Sequence, residues 1–212
     1  MKIYDISMKI HENMMVYKNK PDKRPLIWVA HDFADSSAYE SRIDIDLHTG
    51  THIDAPLHMV KDGATVDTID LEKLVSHCQV IDLTHVKDCI RKEDLENLIL
   101  KEDYFILFKT QNSMSDSFNP EFIYLEKCAA DYLRKKKIKG VGIDSLGIER
   151  SQKEHETHKI LFEAGILILE GLRLKEIEAR DYILHALPIH IDHVEASPVR
   201  AVLIEKEDFC SI

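Results

Sequence analysis

Residues 48–58 read His48-Thr49-Gly50-Thr51-His52-Ile53-Asp54-Ala55-Pro56-Leu57-His58. Imidazole nitrogens and carboxylate oxygens are the ligands that borderline divalent metals prefer, so His48, His52, Asp54 and His58 are candidates for a shared cation. One histidine beside a strand is ordinarily packing or surface. Three of them set around an aspartate are harder to assign to chance, even in a chain with 12 histidines. Gly50 marks a backbone position that calls for positive φ or close approach, and Pro56 resists helix continuation, which predicts a strand running into a loop. A looped backbone, not one helical face, must then bring His48 and His52 together.

Working back from the motif, residues 42–47 alternate Ile43, Ile45 and Leu47 with Arg42, Asp44 and Asp46. This predicts a strand that delivers the motif at its end, with a second strand over 26–33. Residues 2–8 place Tyr4, Ile6 and Met8 on one face and are expected to form the first strand. Between them lies a polar, proline-bearing loop interrupted by Met14-Met15-Val16-Tyr17. Tyr17 there either faces a pocket or covers the edge of the core.

Working forward, a short helix or turn is expected over 67–77, a buried strand over 79–86 and helical spacing over 90–99. Residues 104–110 form a continuous apolar run, the mark of a strand buried on both faces. An amphipathic helix over 122–137 carries Ile123, Leu125, Cys128, Ala129, Tyr132 and Leu133 and ends in a basic turn. A strand over 141–143, a helix over 155–165, a strand over 165–172 and closing strands over 187–205 complete the chain. Helices and strands alternate through the middle, so the expected fold class is α/β. It is read as a mixed β-sheet core with flanking helices in a single domain spanning 1–212.

The net charge of −10 argues against a nucleic-acid or anionic-membrane surface, both of which ask for a basic patch. There is no run of about 18 apolar residues and no signal-like apolar leader, which points to a cytoplasmic protein without a membrane partner. Cys78, Cys89, Cys128 and Cys210 form no CxxC pair and read as reduced thiols.

Two further metal candidates, His158 and Glu170, lie twelve residues apart downstream. Glu170 ends an apolar strand, where a carboxylate needs a partner such as a cation. His155 falls on a neighbouring helical position and is read as a solvated surface residue.

The eleven-residue motif resembles the His-x-Gly-Thr-His-x-Asp-x-Pro-x-His signature of the cyclase family of metal-dependent hydrolases, which includes bacterial kynurenine formamidases. Residues 158–172 resemble the family's second block, a histidine twelve residues before Glu-Gly-Leu. Residues 187–204 are similar to its closing block. The resemblance implies a single domain of the swivelling β/β/α type and a homodimer. It implies two divalent ions: His48, His52 and Asp54 would hold one, with Asp54 bridging to a second bound by His158, and Glu170 touching both. It also implies a substrate-contacting aromatic near Tyr17. Family members commonly carry Trp-Pro-Gly-Asp there, whereas this chain runs Tyr17-Lys18-Asn19-Lys20-Pro21.

The chemistry expected is amide hydrolysis of a small molecule. Two ions about 3.5–4 Å apart activate a bound hydroxide and polarise the carbonyl. His58, titrating near neutrality, is the candidate general acid and base, with a ligand or hydrogen-bonding role as the alternative. Zn2+ is the first choice of metal and Mn2+ the second. The family implies either an N-formyl aryl amine, as in kynurenine formamidase, or a cyclic amide, as in isatin hydrolase, as substrate. A silent metal-binding protein is a third reading. Arg200 is assigned a structural role.

Overall fold

A computed structural model describes residues 1–205. The strands in chain order are β1 (Ile3–Asp5), β2 (Leu26–His31), β3 (Glu40–Asp44), β4 (His52–Asp54), β5 (Val75–Asp82), β6 (Cys89–Ile90) and β7 (Phe105–Lys109). They continue with β8 (Tyr124–Leu125), β9 (Gly140–Ile143), β10 (Leu167–Glu170), β11 (Asp181–His185), β12 (Ala196–Pro198) and β13 (Val202–Glu205). Among the described residues four α-helices accompany them: α1 (Leu71–Leu74), α2 (Lys92–Leu95), α3 (Lys127–Leu133) and α4 (Glu156–Glu163).

Nine strands form one mixed sheet in the order β1-β13-β11-β5-β7-β9-β10-β4-β12. β5, β7, β9 and β10 run parallel, and the strands outside them are antiparallel. Parallel neighbours need crossovers, which is why α2, α3 and α4 fall between these strands. Side chains alternate across the sheet with period two. On β7, Ile106 and Phe108 join α2, α3 and α4 through Leu95, Ala129, Leu133, Ile160 and Leu161. Phe105 and Leu107 point the other way into a second core with Ile6, Ile53, Tyr182, Leu184 and Leu203. That second core unites residues from both ends of the sheet, so the sheet curls over it. Each fully buried Leu or Phe contributes about 1.5–3 kcal/mol of transfer free energy, and together these two clusters hold the sheet's shape.

The α/β expectation is met, with local corrections. Residues 42–47 do not deliver the motif. β3 ends at Asp44 and pairs only with β2 in a separate two-stranded sheet, and its strand residues are all exposed despite their alternation. The motif's own residues form β4 inside the main sheet. The helix expected from 122 starts at Lys127, because Tyr124 and Leu125 pair with β6 and Glu126 caps the helix by accepting from the Cys128 amide. β11, which buries Tyr182 and Leu184, was not singled out from the sequence. Cys78, Cys89 and Cys128 are free thiols, and Cys210 lies outside the described residues. Among the described residues no helix is long and apolar enough to cross a membrane.

Candidate metal centre and its cavity

The strand register assembles the site. β10 runs antiparallel to β4 with Glu170 directly opposite His52, and Ile168 opposite Asp54. Because Ile53 and Leu169 point into the second core, His52, Asp54 and Glu170 share the opposite face. α4 crosses that face and brings in His158 from its first turns. His48 and His58 flank β4 in the chain, His48 before it and His58 in a single 3-10 turn that begins at Pro56.

The histidine rings and carboxylates converge. His48 Nδ1 lies 3.0 Å from Asp54 Oδ1, and His52 Nε2 lies 3.5 Å from Asp54 Oδ1 and 3.4 Å from Glu170 Oε2. His158 Nε2 lies 3.6 Å from Asp54 Oδ2 and 3.5 Å from Glu170 Oε1. The His58 ring centroid is 4.2 Å from that of His48 and 5.5 Å from that of His158. These approaches are short enough for ion pairs, yet His52 Nε2, both Asp54 oxygens and both His158 nitrogens are buried without a hydrogen bond.

Burial of so many unpaired polar atoms in one place is costly unless a cation completes them. They belong to a cluster of three imidazoles, His48, His52 and His158, and two carboxylates, Asp54 and Glu170; the ligand atoms of His52, Asp54 and Glu170 lie within 4.8 Å of one another, which fits a divalent ion. His48, Asp54 and His58 satisfy the same spacing, so His58 also stands within ligand reach. The His52 Nδ1 hydrogen bond to the Gly50 carbonyl, at 2.9 Å, leaves Nε2 facing the carboxylates.

The electrostatics are those of a tightly coupled cluster. Burial works against the charge on His52, but the carboxylates of Asp54 and Glu170 outweigh it and lift the ring to about 9. Burial raises the Asp54 carboxyl, yet the charge of His52 and the His158 and His48 rings hold it well below the usual range. Burial and the Asp54 charge also push Glu170 upward, and His158 and His52 bring it down to about 2. For His58 burial prevails, with His48 and His158 adding to it against Asp54 and Glu170, and its pKa falls below the ordinary imidazole value.

Two carboxylates of the site were missed from the sequence. Glu149 is 6% exposed; its Oε1 accepts from His155 Nδ1 at 2.6 Å and lies 3.3 Å from His158 Nδ1. Its Oε2 accepts the Thr157 amide at 3.0 Å, so one carboxylate caps α4 and flanks the His158 ring. Glu195 Oε1 lies 3.5 Å from His48 Nε2. The signal for Glu149 was a carboxylate embedded in the mostly apolar stretch 138–149. His155 is exposed as expected, but its bond to Glu149 makes it more than a solvated surface residue. Arg200 pairs with Asp5 at 2.5 Å on the surface.

The centre opens into a cavity of about 610 Å3. Tyr17 lines it and packs edge-to-face on Phe118 and Phe122, with ring centroids 5.4 and 6.4 Å away. Burial and the charges of Glu170 and Glu149 raise the pKa of Tyr17, so its hydroxyl stays protonated.

A curled mixed sheet carrying a buried histidine–carboxylate cluster at the floor of an open cavity defines a metal-dependent hydrolase. The Cyclase family model matches residues 4–150, and the chain belongs to that family. A kynurenine formamidase of Bacillus cereus is 32% identical over 202 residues, covering 94% of this chain and 95% of the relative. A solved structure described as a potential metal-dependent hydrolase with cyclase activity is 51% identical, covers 95% of this chain and 96% of that one, and superposes with a TM-score of 0.89. Isatin hydrolase A from Labrenzia aggregata, bound to benzyl benzoate, is 25% identical with a TM-score of 0.83, covering 97% of this chain and 94% of that chain.

Proposed function

We propose that this chain hydrolyses the amide of an N-formyl aryl amine to an aryl amine and formate, as its kynurenine formamidase relatives are named for doing. The observation that carries the reading is the set of unpaired buried atoms on His52, Asp54 and His158 beneath an aromatic-walled cavity. In this reading His48, His52 and Asp54 would hold one divalent ion. Asp54, His158 and Glu170 would hold a second. Zn2+ is the first choice because the donor set is imidazole-rich, with Mn2+ the alternative. When bound, the ions lower the pKa of a water molecule and polarise the carbonyl oxygen.

The chain's own residues supply the rest. Tyr17, Phe118 and Phe122 bind the aryl group and orient the amide toward the cluster. His58, whose pKa burial lowers, is neutral near pH 7 and accepts a proton from the attacking water. It then donates that proton to the departing nitrogen. One water is consumed, and the C–N bond breaks.

A cyclic-amide substrate is the second reading. It is favoured by the isatin hydrolase likeness and by the replacement of Trp-Pro-Gly-Asp with Tyr17-Lys18-Asn19-Lys20, which reshapes the cavity wall. A homodimer is proposed from the β2–β3 hairpin, which carries Trp28, Val29 and Ile43 exposed on strands that pair only with each other. The test of function is turnover by Zn2+- or Mn2+-loaded protein on N-formylkynurenine, N-formylaniline and isatin. Hydrolysis of the formyl amides supports the first reading, isatin alone supports the second, and no turnover of any of the three contradicts both.

A further inference from the structure

The chain carries a net charge of −10, yet the cavity mouth gathers Lys18, Lys20, Lys23 and Arg150. Two of these are neutralised locally. Arg150 Nη1 lies 2.6 Å from Glu121 and its Nη2 lies 2.5 Å from Asp88, while Lys23 Nζ lies 2.7 Å from Asp46. Lys18 and Lys20 have no carboxylate partner among the described residues. Lys18 sits over the Tyr17 ring with its ammonium 5.2 Å from the ring centroid. The acidic side chains of the cavity wall are already engaged: Glu149 by His155 and His158, and Glu170 within the metal cluster.

The loop that presents these lysines is held in place. Met14 and Val16 are buried, and the Asn19 amide donates to the Val16 carbonyl at 2.9 Å. Lys18 and Asn19 adopt φ of 57° and 51°, a left-handed conformation that residues other than glycine avoid and that recurs at functional sites. The same Asp46 that receives Lys23 accepts the His48 amide at 2.9 Å, so the lysine loop is clipped to the first residue of the metal motif. Two exposed ammonium groups with no carboxylate partner among the described residues are thereby carried by a held loop at the mouth of a cavity with aromatic walls and the metal cluster at its floor.

We infer that this cavity selects an aryl amide bearing a free carboxylate with no compensating ammonium, the carboxylate being met by Lys18 and Lys20. The inference rests on the amide-hydrolase reading and specifies what its substrate carries. An ammonium on the substrate would face the same two lysines and be disfavoured. Exposed ion pairs of this kind shift binding by about two- to fivefold each, so the pair gives about a tenfold preference that weakens with salt.

The experiment compares 2-formamidobenzoate with 2-formamidobenzamide on metal-loaded wild type and on the Lys18→Gln/Lys20→Gln double variant. Binding of the products 2-aminobenzoate and 2-aminobenzamide is measured by calorimetry on the same proteins. Expected are a preference of about tenfold for the anion in wild type, carried by KM, and its collapse to under threefold in the double variant. Equal treatment of anion and amide by wild type overturns the inference. So does a preference that survives the double substitution, because the carboxylate would then be held by the cluster itself. If neither formamide is turned over, the N-formyl amide reading fails, and the product-binding ratio still decides the charge preference.

Discussion

Gly171 lies against Gly50 backbone to backbone: a Cβ on Gly171 would fall 2.2 Å from the Gly50 carbonyl oxygen. Both glycines have left-handed φ, 69° and 64°. The contact matters because the Gly50 carbonyl receives the His52 ring, and Thr51 Oγ1 donates to the Gly171 carbonyl at 2.6 Å. It therefore locks the metal motif to the end of β10, and so His52 to Glu170.

Gly171→Ala should both unfold the chain more easily and empty the centre. Left-handed strain alone costs about 1–2 kcal/mol, and the backbone clash adds to it. Gly165→Ala is the control, since Gly165 has φ of 69° but nothing within 4 Å of its would-be Cβ. Urea midpoints and bound metal per chain separate the two. The Gly165 variant is expected to lose stability alone, and full metal retention by the Gly171 variant would contradict the lock.

Glu149 should govern metal affinity through His158. Its carboxylate flanks His158 Nδ1 and caps α4, so Glu149→Ala loses both the ring's partner and the cap. Second-sphere losses of this kind weaken metal affinity by about 10- to 100-fold. Glu149→Gln keeps the size and an acceptor oxygen but not the charge, and an intermediate loss is expected. Zinc titration with a chromophoric chelator reads both variants. Unchanged affinity in Glu149→Ala would remove Glu149 from the account.

The cluster's charges set a pH dependence with a definite sign. His52 rises to about 9 in the folded, metal-stripped protein from an ordinary 6.5. Its stabilising contribution is therefore full below 6.5 and is lost as pH rises through about 9. Glu170 falls to about 2 from 4.5, so its contribution is present above 4.5 and lost as pH falls toward 2. Metal-stripped protein should lose thermal stability between pH 6.5 and 9. The stabilisation added by zinc should grow over that same interval, because protons no longer compete for His52. Thermal melts with and without zinc test this, and a zinc increment independent of pH would contradict it.

The exposed hairpin gives a prediction for assembly. Trp28→Asp places a charge on the apolar β2 strand, and a dimer resting on that strand should weaken by about tenfold or more on losing a large aromatic contact. Sedimentation velocity across a dilution series measures it. A variant that associates as tightly as wild type would put the interface elsewhere.

The centre was legible because its chemistry is local. His48, His52, Asp54 and His58 fall in one eleven-residue window; of the two downstream residues, the β4–β10 register brings in Glu170 and α4 brings in His158. Gly50 was readable for the same reason, since a positive φ is a property of one residue. Glu149 was legible only as a carboxylate in the mostly apolar stretch 138–149, because nothing in its neighbours reveals that α4 will bring His155 and His158 back onto it. The alternation of 42–47 misled because period two reports a strand, not which face is buried. Residues 42–44 lie on the β2–β3 hairpin, where Ile43 has no cover among the described residues, and 45–47 lie beyond the strand's end. β11 escaped notice because a short strand between charged residues gains its identity only from its partners β5 and β13.

The central claim is a division of labour in which Asp54 holds metal and His58 moves the proton. It is tested most directly by measuring bound zinc and N-formyl aryl amide turnover together in wild type, Asp54→Ala and His58→Ala. Turnover is expected to fall in both variants by about 10²-fold or more, with metal lost in Asp54→Ala and retained in His58→Ala. Loss of metal from His58→Ala would instead make His58 a ligand beside His48 and Asp54, and turnover near wild type in that variant would remove it from the chemistry.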